Sequence, residues 1–387
     1  MNQENVTVQE QEPVCVQTKE ATDKKCPACG GTMDFDPATG GMMCPYCGHA
    51  EAIAAGEAAR ELDFDTAEYK ENCDWGAEKK TVICKSCGAE SIYDALDVAN
   101  ECPYCGSNQV MEEKGKNTLA PGGVCPFAVD KQKAGENFKS WIKGKLFCPS
   151  LAKEKAKPTS FKGVYLPYWT FDTQTSSEYE ARYGIDRQVR QEDGKYKTET
   201  DWYYTSGHYD EFINDQLVIA TNRHDSSMLA SIEPFDTENN VAYKPEYLSG
   251  FISERYSIGL RDGWETAQQD IADHLESEIT SKIRGEHGAD HVSGLRVSSD
   301  YSDVKFKYLM LPIWLSSFKY NGKVYNFMVN GQTGKVGGKT PISPWRVAIA
   351  VLLAAAIAGG IWYYNQPAKP EPAAPVQVEM PVNVAKP

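Results

Sequence analysis

The chain has 387 residues, 41% of them hydrophobic and 24% charged, with a formal net charge of −14. That length supports two or three domains with a substantial core, and the composition excludes a wholly disordered, collagen-like or polytopic membrane protein. The acidic balance excludes a generally basic nucleic-acid binder.

Residues 1–24 are polar and acidic, without the apolar run of a signal peptide, which predicts a disordered N-terminus in a reducing compartment. All 12 cysteines fall within the first 148 positions. Eight form C-x-x-C pairs, each followed by glycine: Cys26/Cys29, Cys44/Cys47, Cys84/Cys87 and Cys102/Cys105. Fourteen residues separate the inner cysteines in each half, and the second set repeats the first 58 positions later. Two thiolates three residues apart reach one tetrahedral site when the backbone turns tightly, and the following glycine permits the positive φ of that turn. Segments 25–50 and 81–110 therefore predict two small β zinc ribbons, each a closed four-sulfur cage holding one structural Zn2+, two per chain. A disulfide framework lacks an oxidising compartment, and a thioredoxin-like pair would need a single C-x-x-C beside a βαβ unit. A rubredoxin-type iron or iron–sulfur site uses similar ligands and is the competing occupant. Cys15, Cys73, Cys125 and Cys148 have no near partner and read as free thiols.

Between the ribbons, 51–80 is rich in alanine and glutamate at its start and predicts a helical connector. Residues 111–130, with Pro121-Gly122-Gly123, predict a linker. From 131 to 160 a basic amphipathic helix and linker follow. Phe138, Trp141, Ile142, Leu146 and Phe147 fit one helical face, and Lys139, Lys143 and Lys145 form a possible basic contact surface for anionic lipid or nucleic acid.

Residues 161–343 predict an α+β domain with a mainly antiparallel sheet. Strand-like runs cover 161–172, 176–183, 195–205 and 211–220. A helix is predicted from Asp262 to Arg284, with Trp264, Ala267, Ile271, Leu275, Ile279 and Ile283 on one face and Gly285 as its stop. Asn321-Gly322 predicts a two-residue hairpin turn and Asn330-Gly331 a second turn. Leu166-Pro-Tyr-Trp169 recurs as Leu311-Pro-Ile-Trp314; proline there predicts an edge or bulge, and the tryptophan a core residue.

Three local patterns imitate catalytic motifs. Gly334-Lys-Val-Gly-Gly338-Lys339-Thr340 is one residue short of a phosphate-binding loop and runs into Pro341 where a helix should begin. His287-Gly-Ala-Asp-His291 imitates the inverted zinc-protease motif, with aspartate replacing its glutamate and glycines on either side. His208 has Asp210 nearby but no nucleophile motif around it. No complete catalytic motif is present, which predicts a protein that is not an enzyme.

Val347 to Tyr364 is uncharged, long enough to cross a bilayer, and follows Pro344. A transmembrane helix is predicted over 345–364, with Trp345, Arg346, Trp362, Tyr363 and Tyr364 at the membrane interfaces. Lys335, Lys339 and Arg346 on its N-terminal side predict a single-pass protein of the cell membrane with the ribbons in the cytoplasm and a short tail outside. Residues 365–387 contain six prolines and predict a flexible tail.

Taken together, CPxCG…CPYCG, the second CxxCG…CPYCGS, Phe138-Lys-Ser-Trp-Ile-Lys-Gly-Lys, Gly163-Val-Tyr-Leu-Pro-Tyr-Trp, Tyr247-Leu-Ser-Gly-Phe and the later Leu-Pro-x-Trp resemble an uncharacterised bacterial family of zinc-ribbon membrane proteins. Such proteins are often labelled as a primosomal replication-restart helicase or as carrying a transcription-factor-type ribbon. The resemblance implies ribbons and a membrane anchor. It does not extend to helicase motifs, because the chain has neither a complete ATP-binding loop nor a DEAH-like box.

The resulting expectation is a non-catalytic scaffold or binding module, anchored in the lipid bilayer, for a protein partner. One alternative is a nucleic-acid-associated ribbon protein lacking helicase motifs. Residues 1–110 carry 20 acidic and 8 basic side chains, a net of −12, which disfavours phosphate contact by the ribbons. A second alternative is a metal-dependent hydrolase using His287 and His291.

Overall fold

The computed structural model describes residues 24–364 except 55, 68–78, 85–89, 95–109, 114–120, 159–160 and 193. Strands β1 (Asp34–Asp36), β2 (Gly41–Met43) and β3 (Ala50–Glu51) form a small antiparallel sheet. After it the chain is extended rather than helical: β4 (Leu62–Asp63) leads into a single helical turn, α1 (Phe64–Ala67). The predicted connector helix is thus replaced over its described part, because tertiary partners take its backbone groups. The Ala59 amide donates to Asn240, Glu57 accepts from the Ala242 amide, and Leu62 pairs with Phe306. Helix propensity of a few tenths of a kcal/mol per residue, ~0 to 0.7, yields readily to such contacts.

Next come β5 (Lys79–Cys84), β6 (Glu90–Asp94), β7 (Val110–Glu113) and β8 (Gly123–Val124). β8 is paired to two other strands, and Val124, Cys125 and Phe127 are buried, so residues 121–130, expected as linker, enter the core. Helices α2 (Lys131–Gly144) and α3 (Ser150–Lys155) follow. Asp130 caps α2 by accepting from the Lys133 amide. Ala134, Phe138 and Ile142 form its buried stripe, but the helix ends before Leu146 and Phe147, which point away from that stripe and are exposed.

The body is built on β9 (Lys162–Arg190), β10 (Tyr196–Ile219) and, later, β13 (His291–Tyr320). Runs predicted as four short strands are two long ones. β9 alone, with 29 residues, has a contour length of roughly 95 Å. Between β10 and β13 lie α4 (Ser226–Ala230), β11 (Val241–Ala242), β12 (Ile252–Ser253) and α5 (Leu260–His287). After β13 come β14 (Lys323–Asn330), β15 (Val336–Gly338) and α6 (Pro344–Tyr364). Together they give one large mixed sheet in which β13 and β9 are central neighbours. The turn from β13 to β14 has positive φ at both Asn321 and Gly322, 49° and 76°, as a type I′ hairpin requires.

Residues Val164–Phe171 are buried on both faces of that sheet, which explains their unbroken apolar run. Tyr165, Trp169 and Phe171 join one core cluster with Phe138, Phe306 and Phe327; Val164, Leu166 and Tyr168 join the other with Leu229, Ile232 and Leu311. The two proline motifs face each other, with Leu166 opposite Leu311 and Tyr165 opposite Pro312. The prolines are therefore central, not at an edge. The two residues of a hydrogen-bonded pair exchange both N–H and C=O bonds, so one residue's groups share a side. The Pro167 carbonyl accepts from Ala220 and that of Pro312 from Gly331, both on the outer sides of the central pair. Each proline nitrogen thus faces the place where one flanking strand gives way to the next, β10 to β12 and β8 to β14, and no ladder bond is lost. Both tryptophans are core residues, their indole N–H groups donating to Ile258 and Val129.

Beyond Thr173 the three long strands continue as an arm. Thr175, Ser177, Tyr179 and Ala181 are buried, while Glu178, Glu180 and Arg182 between them are exposed. Helix α5 packs on the buried face through Ala267, Ile271, Leu275, Ile279 and Ile283, the periodicity read from sequence. It does not stop at Gly285 but runs to His287, ending at Gly288 in the left-handed region. Replacing Ile279, fully buried against Tyr179 and Ala181, with alanine should loosen the arm by about 2–5 kcal/mol. Amide hydrogen exchange would then quicken over 179–183 and stay unchanged over 165–169.

Candidate metal centre and buried polar clusters

Two equivalent turns build the cysteine site. In the first, the Gly30 amide donates to the Cys26 carbonyl (2.8 Å) and the Cys26 amide to Gly31 (2.7 Å). In the second, Gly48 donates to Cys44 (2.9 Å) and Cys44 to His49 (2.8 Å). Gly30 and Gly48 have φ of 75° and 74°, the conformation their sequence position predicts. The four sulfurs lie within 4.8 Å of one another, with Cys26–Cys47 and Cys29–Cys44 each at 3.5 Å. A tetrahedron with metal–sulfur bonds of ~2.3 Å has edges of about 3.8 Å, so this group could hold a metal ion. Among the described residues it is the one such group of three or more ligands.

The sulfurs oppose one another's ionisation. The His49 amide lowers the Cys47 thiol, but Cys29, Cys26 and desolvation push it up to about 12. Desolvation raises Cys44, yet the amides of Cys47 and Tyr46 bring it down to about 7. A bound cation is what would allow all four to be thiolates together. The site is also tied to the body: Phe35 lies edge-on to Tyr247 at 5.7 Å, and its amide donates to the Ser249 carbonyl.

Of the second cysteine set, Cys84 ends β5, and Cys87, Cys102 and Cys105 lie outside the described residues, as do Cys15 and Cys73. Cys125 and Cys148 are buried. Burial pushes the Cys125 thiol up to about 12, leaving it a poor nucleophile.

The histidines do not assemble a second site. His287 stacks on Tyr183 at 4.1 Å at the end of α5, whereas His291 begins β13 and pairs with Asp186 at 3.2 Å. His208 Nε2 faces both Asp210 (2.8 Å) and Ser176 (3.4 Å), so the one nitrogen cannot relay a proton between them. The glycine-lysine loop is the strand β15 and its turn, lining a groove of about 780 Å³ with Asn137 and Trp141. Its Lys335 is bonded to the Glu233 carbonyl and its Lys339 to Asp225. Lys139 and Lys143 are exposed on α2, and Lys145 lies 4.7 Å over the Trp141 ring.

Helix α6, of 21 residues and about 32 Å, is long and apolar enough to cross a membrane, and none of its apolar window is buried. Trp345 is exposed at one end and Trp362 and Tyr364 at the other; Arg346 is bonded back to the α2–α3 loop, and the Tyr363 side chain lies outside the described residues.

Two buried charge clusters were not anticipated. Glu254 is fully buried, bonded to His224 at 2.9 Å, Thr221 at 2.6 Å and Arg223 at 3.2 Å. Burial raises its carboxyl, but His224, Thr221 and Arg223 outweigh this and hold it below the ordinary value. The second cluster sits at the root of the arm. Lys307 Nζ lies 2.6 Å from Asp215, 3.6 Å from Glu61 and 3.8 Å from Asp172. Bulges in β10 (Ile213/Gln216) and β13 (Ser302/Lys305), with Asp215 and Asp303 at positive φ, fall opposite Asp172–Thr173 on either side. Only the clustering of charge within otherwise apolar strand ends (Asp172, Lys307) hinted at it.

Two outcomes follow from these geometries. Cys29→Ser with Cys47→Ser should remove one equivalent of bound metal per chain relative to wild type, read by elemental analysis of the purified protein. Burial raises the Asp172 carboxyl from 3.8 to about 6. Its proton is thus held more tightly in the folded state, giving stability that is full below about pH 3.8 and lost as pH rises through about 6. The difference in melting temperature between wild type and Asp172→Asn should fall across that window; a flat difference would contradict the assignment.

No protein-family model matches the chain, and no solved structure matches it. It is 31% identical over 331 residues to a protein of Bacillus subtilis (strain 168) described as "Uncharacterized protein YdjG", covering 84% of this chain and 91% of that one. Similarity on that scale spans the cysteine site, the long-stranded body and the arm together, and the chain therefore belongs to the same family as YdjG.

Proposed function

We propose that the protein is a membrane-anchored, cytoplasmic zinc-binding scaffold that presents its arm to a protein partner and has no catalytic role of its own. The observation that carries this reading is the solvent face of the arm. Trp202, Tyr204 and Phe212 project there, 47%, 64% and 58% exposed, between charged neighbours. Aromatic side chains set among charges are typical of protein-recognition surfaces, and exposed rings on a rigid sheet lose little entropy on binding.

Zinc is supported by the closed shape of the cysteine group. Four thiols leave no position for water or substrate, and structural tetrathiolate sites of this kind favour zinc. A second ribbon is supported by the backbone: β6 contains positions 92–94, 58 residues after β1, and pairs with β5, while β12 joins it to the body sheet. Anchoring rests on α6 and on the positive residues before it, which favour the cytoplasmic side for the body.

Elemental analysis of the full chain should give two zinc ions per protein; iron, or disulfides without metal, would overturn the cofactor assignment. Affinity capture from detergent-solubilised membranes should recover a partner that is lost with Trp202→Ala and Tyr204→Ala. A capture profile indifferent to those changes would remove the support for the arm. Salt-dependent DNA binding abolished by Lys139→Gln, Lys143→Gln and Lys145→Gln would instead favour the nucleic-acid reading.

A further inference from the structure

The loop between α2 and α3 is clasped to the first turn of α6. The Ser343 amide donates to the Phe147 carbonyl at 2.8 Å, and Arg346 donates to the Leu146 carbonyl at 2.9 Å and to Ser150 Oγ at 2.6 Å. Beneath the loop Cys148 is buried, so the elbow is a packed feature of the body. Its outer side is apolar. Leu146 is 70% exposed and Leu151 58%, with Phe147 at 40%, and Ile342 and Trp345 add to the same patch at the base of α6.

A contiguous patch of large apolar side chains on a water-facing elbow is unusual and marks a contact surface. Two features identify what covers this one. The patch is continuous with α6: the elbow carbonyls are bonded to residues 343 and 346, which places them level with Trp345, at the depth where an interfacial tryptophan belongs. The charges also fit. Lys143 and Lys155 are exposed around the patch and Arg346 lies within it, against the single carboxylate Glu154. Apolar side chains ringed by cations suit the headgroup–acyl boundary of an anionic leaflet.

We propose that the 146–151 elbow is a second membrane contact, inserted at the interface of an anionic bilayer beside α6, so that the body is seated on the membrane rather than tethered to it. This rests on the reading that α6 spans the bilayer. The consequence is a fixed tilt: two contacts joined by three hydrogen bonds leave the body no free swivel at Pro344.

The test uses the full chain reconstituted in vesicles containing a phospholipid with a photoreactive diazirine near its glycerol ester, followed by mass mapping of labelled residues. Label on both α6 and 146–151 is the expected result. Label on α6 alone overturns the elbow contact while leaving the anchor intact; absence of label from α6 overturns the spanning reading and the inference with it. Leu146→Ser with Leu151→Ser should lower elbow labelling severalfold without changing that of α6. Vesicles containing phosphatidylglycerol should label the elbow severalfold more than pure phosphatidylcholine, and Lys143→Gln with Lys155→Gln should abolish that difference. Equal labelling in the two lipids by the wild-type chain overturns the requirement for an anionic leaflet.

Discussion

The antiparallel pairing of β9 with β13 is the constraint on which the remaining structure depends. Because Leu166 lies opposite Leu311, the two proline motifs meet at the centre of the sheet, each with its missing N–H turned outward. The outer strands must change at those points, so β10 hands over to β12 on one side and β8 to β14 on the other. The chain segments that precede and follow the central pair are thereby told where to attach. A one-residue slip of this register would turn the two core faces over and expose the aromatic residues of both.

The same pair carries the arm outward and sets its stiffness. At its root the flanking strands both bulge opposite Asp172–Thr173, and the extra residue in β10 delivers Asp215 to Lys307. The buried ion cluster lies where the sheet passes from two covered faces to one. Replacing a buried ion pair with apolar groups is often neutral for stability, so its contribution is better understood as fixing the position of the bulges. Beyond it, α5 covers one face and leaves the other, with Trp202, Tyr204 and Phe212, to solvent.

The cysteine site and the apolar helix attach to this body with little slack. Phe35 packs among Tyr247 and Phe251, and the buried side of the cysteine group, Cys26 and Cys44, joins the same core as Trp169 and Phe327. Folding of the ribbon and of the body are coupled through these contacts, so metal binding there would stabilise more than the ribbon itself. At the other end, Arg346 fastens the first turn of α6 to the α2–α3 loop. An anchor joined in this way transmits the orientation of the bilayer to the sheet.

The sequence by itself determined whatever depends on residues close in the chain. The C-x-x-C-G spacing dictated two turns with positive φ at Gly30 and Gly48, the period of Ala267, Ile271, Leu275, Ile279 and Ile283 dictated a helix with one buried stripe, and Asn321-Gly322 dictated its hairpin. The apolar run before Tyr364 dictated a helix that nothing covers. Only the tertiary structure decided the rest, because the partners come from distant parts of the chain. The alanine-rich stretch after the first ribbon is extended because Asn240, Ala242 and Phe306 take its backbone groups. Leu146 and Phe147 leave the stripe of α2 because the first turn of α6 holds their carbonyls. Glu254 and His224, like Lys307 and Asp172, are ordinary polar residues in the sequence and become buried ion pairs only when strands far apart in the chain are laid side by side.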